Sequence, residues 1–189
     1  MELILASNSP RRKELLTQNG IRFSVIKSDY EERYFTEDPI ETAVEFARGK
    51  ANSVYNSLLK KDDKVVLGAD TVVYHNGKIL GKAEDKEQAI KMLKSLSGKT
   101  HSVITGYALV GKNVTETGFA QSKVTFNRLS DDVIIKYVNS GLYEGKAGSY
   151  GIQDGYGLVE KYTGSLDNVI GLPTEIVVPL INKILEGKN

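Results

Sequence analysis

The chain has 189 residues, enough for one large domain or two closely joined lobes with a substantial core. Hydrophobic residues make up 40% and charged residues 26%; the absence of cysteine excludes disulfides and thiolate metal sites and favours a reducing compartment. Its 25 basic and 24 acidic residues leave a net charge of +1, which argues against duplex nucleic-acid binding, because that affinity needs a basic excess.

The first residues, Met1 to Ala6, combine an acidic side chain with a short apolar run, unlike a secretion signal. No segment approaches the roughly 18 consecutive apolar residues that a membrane-spanning helix needs. We therefore expect a cytoplasmic protein that does not associate with a membrane.

Strands and helices alternate in the first part of the chain. Residues 2–6 predict a buried strand, and Ser9 is a candidate N-cap for a helix that Pro10 begins and Gly20 ends. Residues 22–27 are extended and lead into an acidic loop, residues 29–38.

A second helix begins after Asp38 and runs to about residue 60. Its expected buried face comprises Ala43, Val44, Ala47, Ala51, Val54 and Leu58. The apolar run at residues 65–69 predicts a central strand that ends at Asp70, and residues 72–80 predict a hairpin around Asn76-Gly77.

The rest of the chain repeats this mixture. The predicted elements are a helix at 85–97, strands at 101–110 and 114–128, a helix from Ser130 to Asn139, a glycine-rich stretch at 141–157, a strand near 158–162 and a final helix from Pro173 to Gly187. Crossover and hairpin connections both occur. The pattern therefore predicts an α/β fold with a mixed sheet and a single domain over residues 1–189.

The first candidate site is the segment from Ser7 to Arg12, between a strand and a helix start. Free backbone N–H groups and the positive helix end make this a suitable anion site. Arg11 and Arg12 in the first helical turn oppose the helix dipole, a conflict that a bound anion would resolve. A solvated basic turn is the alternative.

The second candidate is Asp70, which we expect at the end of the buried strand, where function in open α/β sheets gathers. A carboxylate there needs a partner, such as a metal ion or a water molecule, although it could instead cap a turn. Thr71 beside it is compatible with ordinary strand packing.

Further candidates are lysines that follow or precede small residues, which leave room for a phosphate: Lys50, Lys82 and Lys146. Most lysines only solvate a surface. Glu31 and Glu32 in the acidic loop are candidate ligands for a hard cation, because nucleotide-bound Mg²⁺ takes one or two carboxylates plus phosphate oxygens. An exposed acidic loop explains them equally well.

Two apparent motifs are rejected. Residues 106–112 match most of a phosphate-binding P-loop, but Asn113 replaces the Ser or Thr and no helix follows. His75 and His101 are isolated in the sequence, so neither a zinc site nor a Ser-His triad is supported.

Several ordered segments together resemble the Maf family from nearly one end of the chain to the other. They are Leu5-Ala6-Ser7-x-Ser9-Pro10-Arg11-Arg12-x-Glu14-Leu15-Leu16, Ala47-x-x-Lys50-Ala51, Gly68-Ala69-Asp70-Thr71-Val72-Val73, Leu80-Gly81-Lys82, Leu96-Ser97-Gly98-x-x-His101-x-Val103, Lys146-Ala147-Gly148-x-Tyr150-Gly151-Ile152-Gln153 and Gly171-Leu172-Pro173.

The resemblance implies an elongated mixed sheet flanked by helices, with two lobes around a cleft, similar to inosine triphosphate pyrophosphatases. It implies a metal-dependent (Mg²⁺ or Mn²⁺) nucleoside triphosphate pyrophosphatase that releases a monophosphate and pyrophosphate, and a homodimer is common in the family. The residues that it maps to the cleft are Ser7, Arg11, Arg12, Glu31, Lys50, Asp70, Lys82 and Gln153. It assigns Asp70 as proton acceptor and, with Glu31, as metal ligand.

Arg12, Thr71 and Gln153 resemble the branch of the family that acts on dTTP and UTP. Ala83 and Asp154 depart from the family pattern, where proline and glycine are usual, and Asp154 adds a carboxylate beside Gln153. The alternatives are a pyrophosphatase for modified or other nucleotides, and a regulatory binding protein in cell division.

Overall fold

A mixed sheet of seven strands runs through residues 1–34 and 36–187, the part of the chain that this computed structural model describes. In chain order the elements are β1 (Glu2–Leu5), α1 (Pro10–Gln18), β2 (Phe23–Val25), α2 (Pro39–Ser57), β3 (Lys64–His75), β4 (Lys78–Leu80), α3 (Lys86–Leu96), β5 (Thr100–Gly111), β6 (Val114–Phe126), α4 (Asp131–Asn139), β7 (Val159–Thr163), α5 (Leu166–Ile170) and α6 (Thr174–Leu185).

The strands lie in the order β2-β1-β3-β5-β6-β7, and β4 also pairs with β3. β1 is parallel to both of its neighbours, whereas the other pairs are antiparallel. The predicted α/β class with a mixed sheet is confirmed. None of the helices in the described part of the chain has the length and apolar character that a transmembrane span requires.

One edge of β3 is only partly paired. β1 occupies its first half, with Leu5 opposite Leu67, and β4 occupies its far end, with Leu80 opposite Val73. The other edge of β3 is paired with β5 from Val65 to Tyr74. The carboxyl ends of β1 and β4 therefore point toward each other across an opening on a continuous strand.

Apolar clusters form on either side of this opening. Leu5, Leu67 and residues of α1 and α6 pack on one face of the first half of β3, and α2 covers the opposite face. A separate cluster gathers Val73, Tyr150 and residues of α3 and α4 around the second half. The core is thus divided where the edge of β3 is open.

Helix α2 approaches the sheet closely over two glycines. A Cβ atom on Gly68 would lie 2.1 Å from the carbonyl oxygen of Ala47, and one on Gly106 would lie 2.3 Å from that of Ala43. Neither glycine has a positive φ, so the requirement is for space. The close approach brings the end of Lys50 to the sheet face that carries Asp70.

Asp70 does not end its strand, contrary to the prediction. β3 continues to His75, and Asp70 pairs with Gly106 in its middle. The hydrophobic run correctly predicted a strand. It could not show that β3 continues past Asp70 while its neighbours β1 and β4 end on either side of that residue. The predicted turn at Asn76-Gly77 is confirmed, with φ of 48° and 75°.

Other boundaries also differ from expectation. α2 ends at Ser57, Val44 and Leu58 are only half-buried, and Phe46 is fully buried in their place. The five-residue helix α5 was not predicted, because it is shorter than any helical period can reveal. Phe35, within the predicted acidic loop, lies outside the described residues, as do positions 188 and 189 of the predicted domain.

Ser9 caps α1, as predicted. Its side chain and those of Asp38, Asp85 and Ser130 each accept a hydrogen bond from a backbone N–H in the first turn of the helix that follows. Each cap satisfies a donor that the helix itself leaves without a partner.

His101 is buried in β5, where its ring lies edge-on to Phe126 and Tyr150. Its Nε2 atom lies 2.7 Å from the Tyr150 hydroxyl, whereas Nδ1 has no hydrogen-bond partner. Burial lowers the pKa of His101 to about 4, and the positive charges of His75 and Lys123 act in the same direction. His101 is therefore a neutral core residue, in agreement with the rejection of a catalytic triad.

Gly68→Ala should lower the free energy of unfolding by about 1–3 kcal/mol, because the added methyl group meets helix backbone that must move. Denaturant titration measures this. Gly111→Ala at the end of β5 is the matched control, since its Cβ would lie no nearer than 3.1 Å to its neighbours and should cost less. Equal stability of the two variants would contradict the close-packing account.

The buried His101 predicts a loss of stability in acid. The unfolded chain takes up a proton near pH 6.5, whereas the folded chain resists until about pH 4, so stability falls as the pH decreases between these values. The full contribution is about 3 kcal/mol. His101→Gln should remove this part of the pH dependence. His75→Gln should retain most of it, because burial is the larger cause of the shift. Identical pH profiles for the two variants would refute the assignment.

Candidate active site

A cleft of about 530 Å³ opens at the unpaired edge of β3. Its walls come from the loop after β1, the start of α1, the middle of β3, Lys82, residues 144–154 and the end of α5. Eight of the residues predicted for the site line this cleft together with Lys146: Ser7, Arg11, Arg12, Lys50, Asp70, Thr71, Lys82 and Gln153.

Lys50 holds two carboxylates together at the floor of the cleft. Its Nζ atom lies 2.5 Å from Oδ1 of Asp70 and 2.6 Å from Oε1 of Glu32. Asp70 is only 5% exposed, so its charge is costly without a partner. Gly68 and Gly106 make this contact geometrically accessible, because α2 could not otherwise come so near to β3.

Glu32 reaches the cleft because two tyrosines hold its loop on α2. The ring of Tyr30 lies over Gly49, and the ring of Tyr34 meets Phe46 edge-on at 5.3 Å between centroids. Between these anchors, the Glu32 carboxylate also lies 3.5 Å from Nζ of Lys82. Burial opposes the charge of Glu32, but Lys50 and Lys82 together lower the pKa of its carboxyl group.

Glu31 has a different position from the one implied by the resemblance. Its side chain is 74% exposed and pairs with Arg33, and it does not line the cleft. Successive residues of an extended loop point in opposite directions, so only one of the two glutamates can face inward. The structure brings Glu32 inward, and the acidic stretch alone contained no signal for that choice.

The two arginines are oriented by the end of α5. Nε of Arg11 donates to the carbonyl of Ile170 at 3.3 Å, and Nε of Arg12 donates to the carbonyl of Gly171 at 2.8 Å. These carbonyls sit at the negative end of a helix, where cations are favoured. Part of the conflict between two arginines and the start of α1 is therefore resolved within the protein.

Arg12 makes more hydrogen bonds within the protein than Arg11 does. Its Nη1 donates to Ser7 Oγ at 3.3 Å and its Nη2 to Thr71 Oγ1 at 3.2 Å. Burial lowers the pKa of the Arg12 guanidinium, while the negative charge of Asp70 opposes this effect. Burial also lowers the pKa of Arg11, but no acceptor other than the Ile170 carbonyl is seen within the described residues. Arg11 is the freer group for an anion.

Residues 146–154 form the opposite wall. Gly148 N donates to the carbonyl of Gly81 at 3.0 Å, and Ala147 forms a β-bridge with Lys82. This pairing holds Lys82 beside the opening.

The extra carboxylate of Asp154 is turned into this wall. It accepts from Lys146 Nζ at 2.7 and 2.5 Å and from the Tyr137 hydroxyl at 2.6 Å. A Cβ on Gly151 would lie within 2.7 Å of both charged groups, so glycine permits the pair. The positive charge of Lys146 is therefore balanced by Asp154. The exposed Gln153 lies in the turn that this ion pair stabilises. The role of Tyr137 was not visible in the sequence.

The sequence matches the family model of Maf-like proteins over residues 2–184. It is 46% identical over 176 residues to the dTTP/UTP pyrophosphatase of Thermococcus kodakarensis, with 93% of each chain covered. It is 43% identical over 185 residues to the dTTP/UTP pyrophosphatase of Pyrococcus furiosus, with 95% of this chain and 94% of that protein covered. The dTTP/UTP pyrophosphatase of Clostridium tetani is 46% identical over 180 residues, with 92% of each chain covered.

Among solved structures, the Ham1 protein of Staphylococcus aureus matches all of both chains with a TM-score of 0.55 at 16% identity. This likeness concerns the fold alone, and it agrees with the architecture expected from the sequence. The family model and the three relatives lead to one assignment: the chain belongs to the Maf family.

Proposed function

We propose that this protein hydrolyses dTTP and UTP to the nucleoside monophosphate and pyrophosphate. The observation that carries the proposal is the cleft itself, in which Lys50 contacts the carboxylates of Asp70 and Glu32, and Arg11 and Lys82 line the same cavity. The names of the relatives supply the substrate class, and this geometry has the charges that such a substrate needs.

Cleavage of a phosphoanhydride needs charge neutralisation and an aligned water more than covalent chemistry. In the proposed mechanism Arg11 and Lys82 bind phosphate oxygens, because each has donors directed to the cleft. Asp70 accepts a proton from the attacking water. Lys50, which contacts Asp70 in the free protein, stays close enough to hold that carboxylate in position.

The carboxylates also fit a hard divalent cation such as Mg²⁺ or Mn²⁺. Oxygens of Asp70 and Glu32 both contact Lys50 Nζ, so the two carboxylates are close enough to hold one cation beside Lys50, and phosphate and water oxygens could complete its coordination. In the described residues no three acidic or histidine side chains cluster as a ready-made site, which suits a cation that arrives with its nucleotide. Such a cation, when bound, supplies positive charge to the phosphate oxygens.

In this proposal Asp70 and Glu32 are the metal ligands, and Glu32 takes the role that the resemblance gave to Glu31. Ser7 and Arg12 form the supporting wall, and Thr71 and Gln153 face the nucleoside. We retain the cytoplasmic location and the homodimer as expectations on which the mechanism does not depend.

Asp70→Asn should reduce kcat with dTTP by about 10²–10⁴-fold, because the amide cannot accept the proton. Glu116→Gln, which removes an exposed carboxylate on β6, is the matched control and should have wild-type kcat. Circular dichroism would verify that both variants fold. Wild-type turnover by Asp70→Asn would eliminate the proposed role.

The reaction class is tested by the products formed from a panel of nucleotides, including methylated ones, with and without Mg²⁺ or Mn²⁺. We expect pyrophosphate and the monophosphate from dTTP and UTP, and lower rates with dCTP and ATP. Release of orthophosphate would mean cleavage at the wrong anhydride. A strong preference for a modified nucleotide would change the substrate class.

A further inference from the structure

A buried hydroxyl group in β5 has its only proton committed. Thr105 is fully buried, and its Oγ1 donates to the backbone carbonyl of Asn168 at 2.9 Å. A carbonyl oxygen can only accept, and a threonine hydroxyl has a single proton to donate. Toward any other neighbour, Thr105 can therefore act only as an acceptor.

This commitment determines the direction of the next hydrogen bond. Oγ1 of Thr71 lies 2.9 Å from Oγ1 of Thr105, and since Thr105 has no second proton, Thr71 must donate. Arg12 Nη2 in turn donates to Thr71 Oγ1 at 3.2 Å. Each group therefore donates a hydrogen bond to the next in this order: Arg12, Thr71, Thr105 and the carbonyl of Asn168.

The end of this chain is rigidly held. The side-chain amide of Asn168 donates to the carbonyl of Val103 at 3.1 Å and to Ser122 Oγ at 2.9 Å. Its backbone N–H donates to Ser165, the N-cap of α5. Asn168 is fully buried and joins α5 to two strands, so its carbonyl cannot turn away from Thr105.

Thr71 consequently presents an acceptor to the cleft. It is half-buried on the cleft wall and uses one lone pair for Arg12, and no other donor in the described part of the chain reaches its second lone pair. Phosphate oxygens are acceptors and cannot bond to such a group. A ligand of this oxygen must donate a proton, as a base N–H or a sugar hydroxyl does.

We propose that Thr105 is a specificity-determining positioning residue, which makes Thr71 an acceptor for the N3–H group of thymine and uracil. This inference rests on the proposed function. On the pairing edge of these bases only N3 carries a proton, whereas in cytosine N3 is an acceptor and the donor is the neighbouring 4-amino group. An oxygen that faces N3 and cannot donate therefore favours dTTP and UTP and disfavours dCTP and CTP, because two acceptors would face each other at that position.

The test compares Thr105→Val with Thr105→Ser, using the ratio of kcat/KM for dTTP to that for dCTP. Valine keeps the shape of threonine but frees the Thr71 proton, which can then donate into the cleft. We expect the ratio to fall about ten-fold or more with valine, as for a lost discriminating hydrogen bond, and to stay near wild type with serine.

Equal losses on both nucleotides, with an unchanged ratio, would overturn the proposal and leave Thr105 a purely structural residue. Wild-type protein that releases no pyrophosphate from any nucleotide would instead refute the proposed function. Thermal unfolding verifies that the variants are folded.

If Thr105→Val does not fold, Thr71→Val and Thr71→Ser on the cleft wall decide the question. The ratio should fall when the oxygen is removed and persist when it is kept. An equal ratio in these two variants would also overturn the proposal.

Discussion

The site depends on one ammonium group shared by two carboxylates. Asp70 and Glu32 repel each other, and Asp70 is nearly removed from water, so neither position is favourable without Lys50 between them. The contact in turn requires α2 to lie on the sheet with almost no space between backbones, which Gly68 allows. The ion pairs of Lys50 therefore depend on the packing of α2 against the sheet, and a change that moves the helix should also weaken these ion pairs.

The position of the cleft follows from how the sheet is paired. β3 runs without interruption through the molecule, while β1 and β4 each cover only part of one edge and end facing each other. Loops that leave these strand ends carry Ser7 and Lys82 to opposite sides of the same opening. The general preference of α/β proteins for sites at carboxyl ends of strands is thus met by the neighbours of the strand that bears Asp70.

Much of this could be predicted from sequence, because local patterns carry it. Caps such as Ser9 and Asp38, the Asn76-Gly77 turn and the continuous apolar strand are each set by nearby residues. The candidate residues of the motifs also meet in one cleft. The prediction that β3 ends at Asp70 was wrong, because it depended on distant contacts. The opening beside Asp70 is set by where β1 and β4 end.

Two features of the site could not be predicted from the sequence, for related reasons. They are the choice of Glu32 over Glu31 and the binding of the arginines by the end of α5. The acidic loop has no period of its own, and its direction is set by tyrosine rings on α2. The carbonyls that orient Arg11 and Arg12 lie 159 residues away in sequence, at the last residue and the C-cap of a helix of only five residues. Backbone acceptors leave no trace in side-chain patterns.

The central claim is that the opening on β3 receives a triphosphate beside Asp70. A crystal structure with Mg²⁺ and a dTTP analogue whose bridging oxygen between the α- and β-phosphates is replaced by nitrogen tests it most directly. We predict phosphate oxygens on Arg11 and Lys82, with the α-phosphate next to Asp70. Phosphates bound on another face, or a triphosphate that extends away from Asp70, Arg11 and Lys82, would contradict the account.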